Sequence, residues 1–383
     1  MGIGTLRWDL ERSAPRRWHA GAMPAPGALG SWAVGTRSTS LTCGLVTEPD
    51  LFALPVDEAD LARLEVCLRE SVLGEDPFLN EVASHLIQAG GKRLRPALAL
   101  TATGLLPGTV SRETLLGGVS VELVHLASLY HDDVMDEASR RRSVDSVNAR
   151  WGNLVAIVAG DFLLARSAEI AASLGPEVAG LLAATLARLC QGQVAEVRAA
   201  FQIDRDEKDY LTAIANKTAA LIATACRVGG LTAELDRTQI DELTAFGEAF
   251  GMVFQIRDDV LDVIATEEEL GKKPGQDLTE GIYTLPVQRA LQDRVHGPRL
   301  RDLLGKPLSE HERELARAIV ASSPGIPAAT EMAREYASAA SKAAYRLGHN
   351  PLAAALSALS MRVVDDLERL ALAARERFEA LAG

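Results

Sequence analysis

The chain of 383 residues is predicted to be all-α, one large helical body, on three observations. From about residue 58 onward, apolar residues recur at spacings of three and four. Ala and Leu dominate these runs and favour the helix, whereas the alternating β-branched pattern of strands is scarce. Gly and Pro pairs cut the periodic stretches into segments of helix length.

Taken in order, residues 1–57 stand apart. They hold Trp8, Trp18 and Trp32, and five arginines but no lysine, and they lack any hydrophobic period. They are expected to be a disordered, dispensable extension, or an over-extended start with Met23 as an alternative initiator. The Arg-rich, acid-poor composition would also suit a transit peptide, and the segment has no apolar region of the secretory kind. The folded domain is placed at 58–383. Leu61, Leu64, Leu68 and Val72 form one face of its first helix, and Leu116, Val119, Leu123, Leu126 and Tyr130 mark a later one. Breaks at Gly90-Gly91, Pro107-Gly108, Gly175-Pro176, Gly229-Gly230, Pro274-Gly275, Gly297-Pro298 and Pro324-Gly325 separate about a dozen helices. No transmembrane segment is expected, since the most apolar run, Leu154 to Leu164, is short and contains Asp161. A net charge of −12 without a basic stripe argues against a nucleic-acid partner. Cys43, Cys67, Cys190 and Cys226 show no C-x-x-C pair and read as small apolar residues of a reducing, cytoplasmic compartment.

Inside this apolar helix an aspartate pattern occurs twice. Asp132-Asp133-Val134-Met135-Asp136 recurs as Asp258-Asp259-Val260-Leu261-Asp262. Residues four apart share a helix face, so Asp132 stacks on Asp136 and Asp258 on Asp262. Like charges so placed destabilise a helix and call for neutralisation. Such oxygen ligands suit Mg²⁺, which takes one or two carboxylates and completes its shell with phosphate oxygens and water. Two facing clusters would hold a polyphosphate between metal ions.

Cations accompany them. Gly90-Gly91-Lys92-Arg93-Leu94-Arg95-Pro96 places three cations behind a glycine pair, where backbone and side chains can approach an anion. Arg140-Arg141-Arg142 follows the first aspartate motif by a turn. His125 lies two turns before Asp132 on nearly the same face. Lys217-Thr218 interrupts an otherwise apolar helix, and Phe254-Gln255 precedes the second motif by a turn. Lys272 stands in a polar loop, Glu267 to Asp277, that could close as a cationic lid. Singly, each is as common in solvated turns or cores as in sites; their ordered combination carries the reading.

In that order these motifs resemble the trans-isoprenyl diphosphate synthases, the polyprenyl synthase family, from about residue 82 to the end. The likeness is densest in Gly90–Pro96, His125–Arg142, Ala159–Leu164, Gln191-Gly192-Gln193, Lys217-Thr218-Ala219, Phe254–Asp259 and Gly271–Pro286. It implies a helical bundle of the isoprenoid-synthase type with a central active-site cavity, a homodimer, and Mg²⁺ as cofactor, about three ions per site. It implies Asp132, Asp136 and Asp258 as ligands, with Asp133, Asp259 and Asp262 acting through water or as supports. Lys217, Thr218, Gln255, Lys272 and Arg141 would stabilise the departing diphosphate of an allylic substrate. Lys92, Arg95, His125 and Arg142 would hold isopentenyl diphosphate, whose double bond attacks the allylic cation, so no protein nucleophile is needed. Three positions depart from the family pattern: Ser143 replaces a usual glycine, Asp145 a common proline, and Gln276 a Ser or Thr. They leave every ligand and cation in place and bear on loop geometry.

In this fold the product grows beside the first aspartate helix. Ala127 and Ser128, one turn deeper than Asp132, are small, and Val124 and Val121 below them are of middling size. An isoprene unit is about one helical turn long, ~5 Å, so a long-chain product, hexaprenyl to decaprenyl, is expected, and Ala127→Phe should shorten it. The alternative is a short-chain geranylgeranyl or farnesyl diphosphate synthase. A class I terpene cyclase is disfavoured by the aspartate-rich second motif and the basic turn. The six intact aspartates disfavour a non-catalytic partner subunit and a purely structural bundle.

Overall fold

The structure is a computed structural model that describes residues 51–106, 109–270 and 273–382. Lys272, the Pro107-Gly108 break and all of the expected extension up to residue 50 lie outside the described residues.

Helices α1 (Glu58–Ser71), α2 (Pro77–Gln88), α3 (Leu94–Thr101) and α4 (Arg112–Met135) lead to a hairpin of two-residue strands, β1 (Arg140–Arg141) and β2 (Val144–Asp145). Next come α5 (Val147–Trp151), α6 (Asn153–Ser173), α7 (Pro176–Ala199) and α8 (Glu207–Ile214). A π-helical turn, Ala215–Ala219, joins α8 to α9 (Ala220–Thr232). The chain continues through α10 (Arg237–Ile264), α11 (Glu267–Leu270), α12 (Gln276–Glu280), α13 (Leu285–Gln292) and α14 (Gly297–Leu303). It closes with α15 (Glu310–Ala321), α16 (Gly325–Arg346) and α17 (Pro351–Ala382). The all-α expectation therefore holds.

Helix starts follow the capping rules. Asp57, Asp76, Ser111, Asp206, Asp236 and Ser309 each accept a hydrogen bond from a first-turn amide that would otherwise lack a partner. α4 lies along α6, α10 along α16, and α9 contacts α3, α4 and α10. Two apolar clusters result: one gathers α9, α10, α16 and α17, the other α1, α2, α4 and α6. α4 belongs to both, placing Val121 and Val124 in the first cluster with α10 and its other face in the second. Leu51, Phe52 and Leu54, assigned to the extension from sequence, pack against the first of these clusters.

Some features differ from expectation. Gly229-Gly230 lies inside α9 and breaks nothing. A Cβ on Gly229 would stand 2.1 Å from the Ala99 carbonyl oxygen of α3, so glycine marks a close helix crossing there. The hairpin turns through Arg142 and Ser143 at φ of 50° and 64°. That is the left-handed region where glycine is least strained, so Ser143 carries backbone strain that a glycine there would not. Although no span was expected, α7 is long and apolar enough to cross a membrane by length and composition, the one such helix among the described residues. Its alanines raise mean hydropathy without forming the bulky apolar run that sequence reading looks for.

Candidate active site

α4 and α10 bring the two aspartate motifs to one polar cavity of about 800 Å³. Asp136, at the end of α4, and Asp259 of α10 both line it, with Arg141, Lys217, Thr218 and Gln255. A second, more apolar cavity of about 570 Å³ runs along α4 past Asp132, Ser128, His125 and Val124, with Arg95 at its wall. Lys217 and Thr218 border both cavities. Lys92, Arg142, Asp133, Asp258 and Asp262 line neither.

In the first motif Asp133 is fully buried. Arg141 donates to its Oδ1 from Nε at 2.8 Å and Nη2 at 2.6 Å, and Asn148 donates to its backbone carbonyl at 3.0 Å. Its Oδ2 has no hydrogen-bond partner. Burial raises the Asp133 pKa, and Arg141 opposes the shift. Burial also pushes Asp132 up to about 6; Lys217 pulls against this and Asp136 adds to it.

The second motif is tied into a chain of hydrogen bonds. Tyr210 Oη donates to Asp259 Oδ2, Gln255 Nε2 donates to Oδ1 at 2.8 Å, and Thr218 Oγ1 donates to Gln255 Oε1 at 2.6 Å. Burial holds the Asp259 pKa above the usual carboxylate range against those donors. Asp262 accepts the amides of Gln276 at 3.3 Å and Asp277 at 3.1 Å, so it anchors the turn into α12. Asp258 contributes to the field at Arg95.

Among the described residues no three His, Cys, Asp or Glu side chains converge to hold a metal ion unaided. Mg²⁺ does not need that many. Asp132 stacked on Asp136, with burial pushing Asp132 up, and the orphaned Oδ2 of neighbouring Asp133 fit an ion that completes its shell on a diphosphate.

Lys217 and Thr218 stand on the π-helical turn, a local widening that often marks functional positions. Lys217 pairs with Glu196 of α7. Burial disfavours the ammonium, but Glu196, Asp132 and Asp136 outweigh it and raise the Lys217 pKa. α7 comes this close because Gly192 lacks a side chain: a Cβ there would be 2.6 Å from the Lys217 amide nitrogen.

At the basic turn the three cations have different places. Arg93, at φ 47°, turns inward to Glu65 at 2.5 Å, Glu122 at 3.0 Å and the Ile87 carbonyl at 3.0 Å. Arg95 is held by burial below the usual guanidinium pKa, against the pull of Glu122 and Asp258, and its Nε lacks a partner. Lys92 Nζ lies 4.8 Å from the centre of the Phe52 ring. Arg142 reaches back to the carbonyls of Leu86 and Gly90, and a Cβ on Gly91 would meet its guanidinium at 2.7 Å. His125 is half-buried; burial, then Arg95 and Arg142, keep its pKa well below 6.5, so the imidazole is neutral.

One expected position lies away from the two cavities. Ala127 is fully exposed to neither cavity nor solvent and belongs to the core cluster of α1, α2, α4 and α6. Val124, Ser128 and Asp132 follow at i, i+4 and i+8 and line the apolar cavity, whereas Ala127 is a hundred-degree step off that face. Sequence reading also missed Tyr210 and Glu196. Tyr210 precedes Lys217 by two turns, a spacing that could have flagged it; Glu196 meets Lys217 only through helix packing, which leaves no local signal.

Comparison with known proteins agrees with this geometry. Residues 76–321 match the family model of polyprenyl synthetase. The nonaprenyl diphosphate synthase of Mycobacterium tuberculosis is 38% identical over 313 residues, covering 81% of this chain and 92% of that protein. The solved structure of a decaprenyl diphosphate synthase from Rhodobacter capsulatus superposes with a TM-score of 0.74 at 34% identity, over 81% of this chain and 96% of that one. A geranylgeranyl pyrophosphate synthase from Corynebacterium glutamicum, solved with calcium and isoprenyl diphosphate, gives 0.72 at 36% identity, over 81% and 95%.

Proposed function

Because the chain belongs to the polyprenyl synthetase family, we propose that it is a trans-polyprenyl diphosphate synthase, a prenyltransferase that joins isopentenyl diphosphate to an allylic diphosphate. The observation that carries this reading is the shared cavity: carboxylates of both motifs line it with Arg141, Lys217, Thr218 and Gln255, and it adjoins an apolar cavity. One space suits a diphosphate and the other its hydrocarbon.

Asp132, Asp136 and Asp258 would hold Mg²⁺, with Asp133, Asp259 and Asp262 as supports; a bound ion supplies neutralisation of the diphosphate charge. Arg141, Lys217, Thr218 and Gln255, joined by Lys272, stabilise the allylic diphosphate as its C–O bond breaks and the electron pair leaves with oxygen. Glu196 keeps Lys217 protonated for this task. Lys92, Arg95, Arg142 and neutral His125 position the second diphosphate, so that the isopentenyl double bond faces the new cation. The released diphosphate takes the final proton. The apolar wall of Val124, Leu164, Leu186, Leu189 and Leu221 keeps water from the cation.

The product is long-chain, hexaprenyl to decaprenyl. α4 runs twenty residues behind Asp132, about 30 Å at the helical rise, or about six isoprene lengths. Small and medium side chains line its first two turns, at Ser128 and Val124. The protein works as a homodimer in the cytoplasm: Leu154 and Val158 of α6 and Val194 and Val197 of α7 are 52–76% exposed, an apolar face suited to a second copy. The test is to incubate the protein with Mg²⁺, labelled isopentenyl diphosphate and each allylic primer, then size the dephosphorylated products. A ladder ending at six or more units is expected. A stop at farnesyl or geranylgeranyl would refute the chain length, and no elongation with any primer would refute the reaction.

A further inference from the structure

A cation that belongs to none of the sequence motifs also lines the polar cavity. Arg205 stands in the loop between α7 and α8, half-buried, and borders that cavity with Glu196, Tyr210 and Asp259. The loop is fastened around it. The Phe201 amide donates to the Gly281 carbonyl at 2.8 Å, Asp204 pairs with Arg301 of α14 at 2.7 Å, and Asp206 caps α8 through the Lys208 amide at 2.8 Å. Arg289 of α13 donates to Glu207 at 2.8 Å. The Arg205 guanidinium lies 5.8 Å from the centre of the Tyr210 ring, and its Nη2 donates to the Asp209 carbonyl at 3.3 Å. Neither contact neutralises its charge. Its Nε is buried without a hydrogen-bond partner, and no carboxylate among the described residues forms an ion pair with it. The other cavity cations differ: Arg141 pairs with Asp133, Lys217 with Glu196 and Lys273 with Glu310, and Arg140 is exposed.

We propose that Arg205 is a further diphosphate-binding residue, which holds the allylic diphosphate and, after the C–O bond breaks, the inorganic diphosphate it becomes. A guanidinium is a planar fork whose N–H groups match phosphate oxygens in pairs, and its Nε–H is uncommitted here. Burial lowers the Arg205 pKa and Glu196, Tyr210, Asp209 and Asp259 pull against it, so the group stays charged. Holding that charge half-buried and unpaired costs free energy, which phosphate oxygens offset. The fastened loop and the Tyr210 ring restrict the side chain, so little rotamer entropy is lost on binding. Tyr210 also donates to Asp259, so one ring sets both the cation and a carboxylate of the second motif. Arg141 enters the cavity from the hairpin and Arg205 from the α7–α8 loop, so two forks on separate elements face the anion. Lys92, Arg95 and Arg142 do not line this cavity, which confines the effect of Arg205 to the allylic side.

The identity of this ligand rests on the proposed prenyltransferase activity, whereas binding of inorganic pyrophosphate tests Arg205 by itself. Arg205→Met keeps the apolar stem and Arg205→Lys keeps the charge without the fork; both would be made in the full chain. Calorimetry with Mg²⁺ and inorganic pyrophosphate would be run beside steady-state kinetics with each substrate varied in turn. Loss of the charge-assisted hydrogen bonds should raise the pyrophosphate Kd and the allylic KM by about ten- to a hundredfold in the Met variant, and by less in the Lys variant. The KM for isopentenyl diphosphate should stay within about twofold, since its cations lie elsewhere. A Met variant that binds pyrophosphate as the wild type does would overturn the proposal. So would wild-type protein that binds no pyrophosphate with Mg²⁺ present, or an equal rise in KM for both substrates, the mark of general damage. A wild-type protein that elongates no primer yet binds pyrophosphate with this Arg205 dependence would sink the assigned reaction and leave the anion site standing.

Discussion

Replacing Gly192 by Ala tests how the π-helical turn is placed. The new Cβ would meet the Lys217 amide nitrogen at 2.6 Å, Lys217 Cβ at 2.9 Å and the Ala213 carbonyl oxygen at 3.0 Å. Two of these are backbone atoms, which cannot swing aside as a side chain can. Ordinary contact begins near 3.4 Å, so α7 and the turn must separate by about 0.8 Å, the difference between 3.4 and 2.6. The substitution has two opposed effects on stability. Ala gains up to about 1 kcal/mol of helix propensity over Gly, and overpacking costs about 1–3 kcal/mol. The net loss is about 1 kcal/mol, which lowers Tm by only about 2 °C in a chain of this size. Activity should suffer far more. Lys217 and Thr218 move with the turn, and a displacement near 1 Å of groups that meet the reacting atoms costs up to about a hundredfold in rate. Purified Gly192→Ala protein, assayed for incorporation of labelled isopentenyl diphosphate, should show kcat/KM reduced by about ten- to a hundredfold, with unchanged helical circular dichroism. Wild-type kcat/KM in this variant would refute the idea that the turn's position governs the site.

Ser128→Phe and Val124→Phe should shorten the product by obstructing the apolar cavity, whereas Ala127→Phe should destabilise the fold by about 1–3 kcal/mol through overpacking; product sizing and urea titration distinguish the two effects. Arg93→Met leaves Glu122 buried without its partner and should cost about 3–5 kcal/mol, read as a lower denaturation midpoint. Ser143→Gly relieves a left-handed residue and should stabilise by about 1 kcal/mol with turnover unchanged, a small rise in Tm being the check. Chelation of Mg²⁺ should abolish product formation, and added Mg²⁺ should restore it.

Much of the site is legible in the chain because its chemistry is local. Each aspartate motif lies within one helical turn, where spacing alone stacks the carboxylates and demands a counter-ion. Helix periodicity and capping residues such as Asp57, Ser111 and Asp236 likewise act over a few residues, so the all-α body and most helix starts are written in sequence. Other properties depend on which helices meet. Ala127 and Ser128 are adjacent in the chain and both small, yet one fills the core and one lines the cavity, because the core of α1, α2, α4 and α6 takes one face of α4 and the cavity the next. Arg93 and Arg95 are two residues apart in one basic motif, and only the placement of Glu65 and Glu122 turns Arg93 into a structural ion pair. Gly229-Gly230 has the composition of a break but serves as a crossing point, since what a glycine permits depends on the atom opposite it. The chain by itself determined the helices and the metal-seeking carboxylates, whose energetics are set within a turn. Tertiary structure alone decided which side chains face the cavities, how Glu196 meets Lys217 and Tyr210 meets Asp259, and how Arg93 is drawn into an internal ion pair, because those depend on distances between residues far apart in sequence.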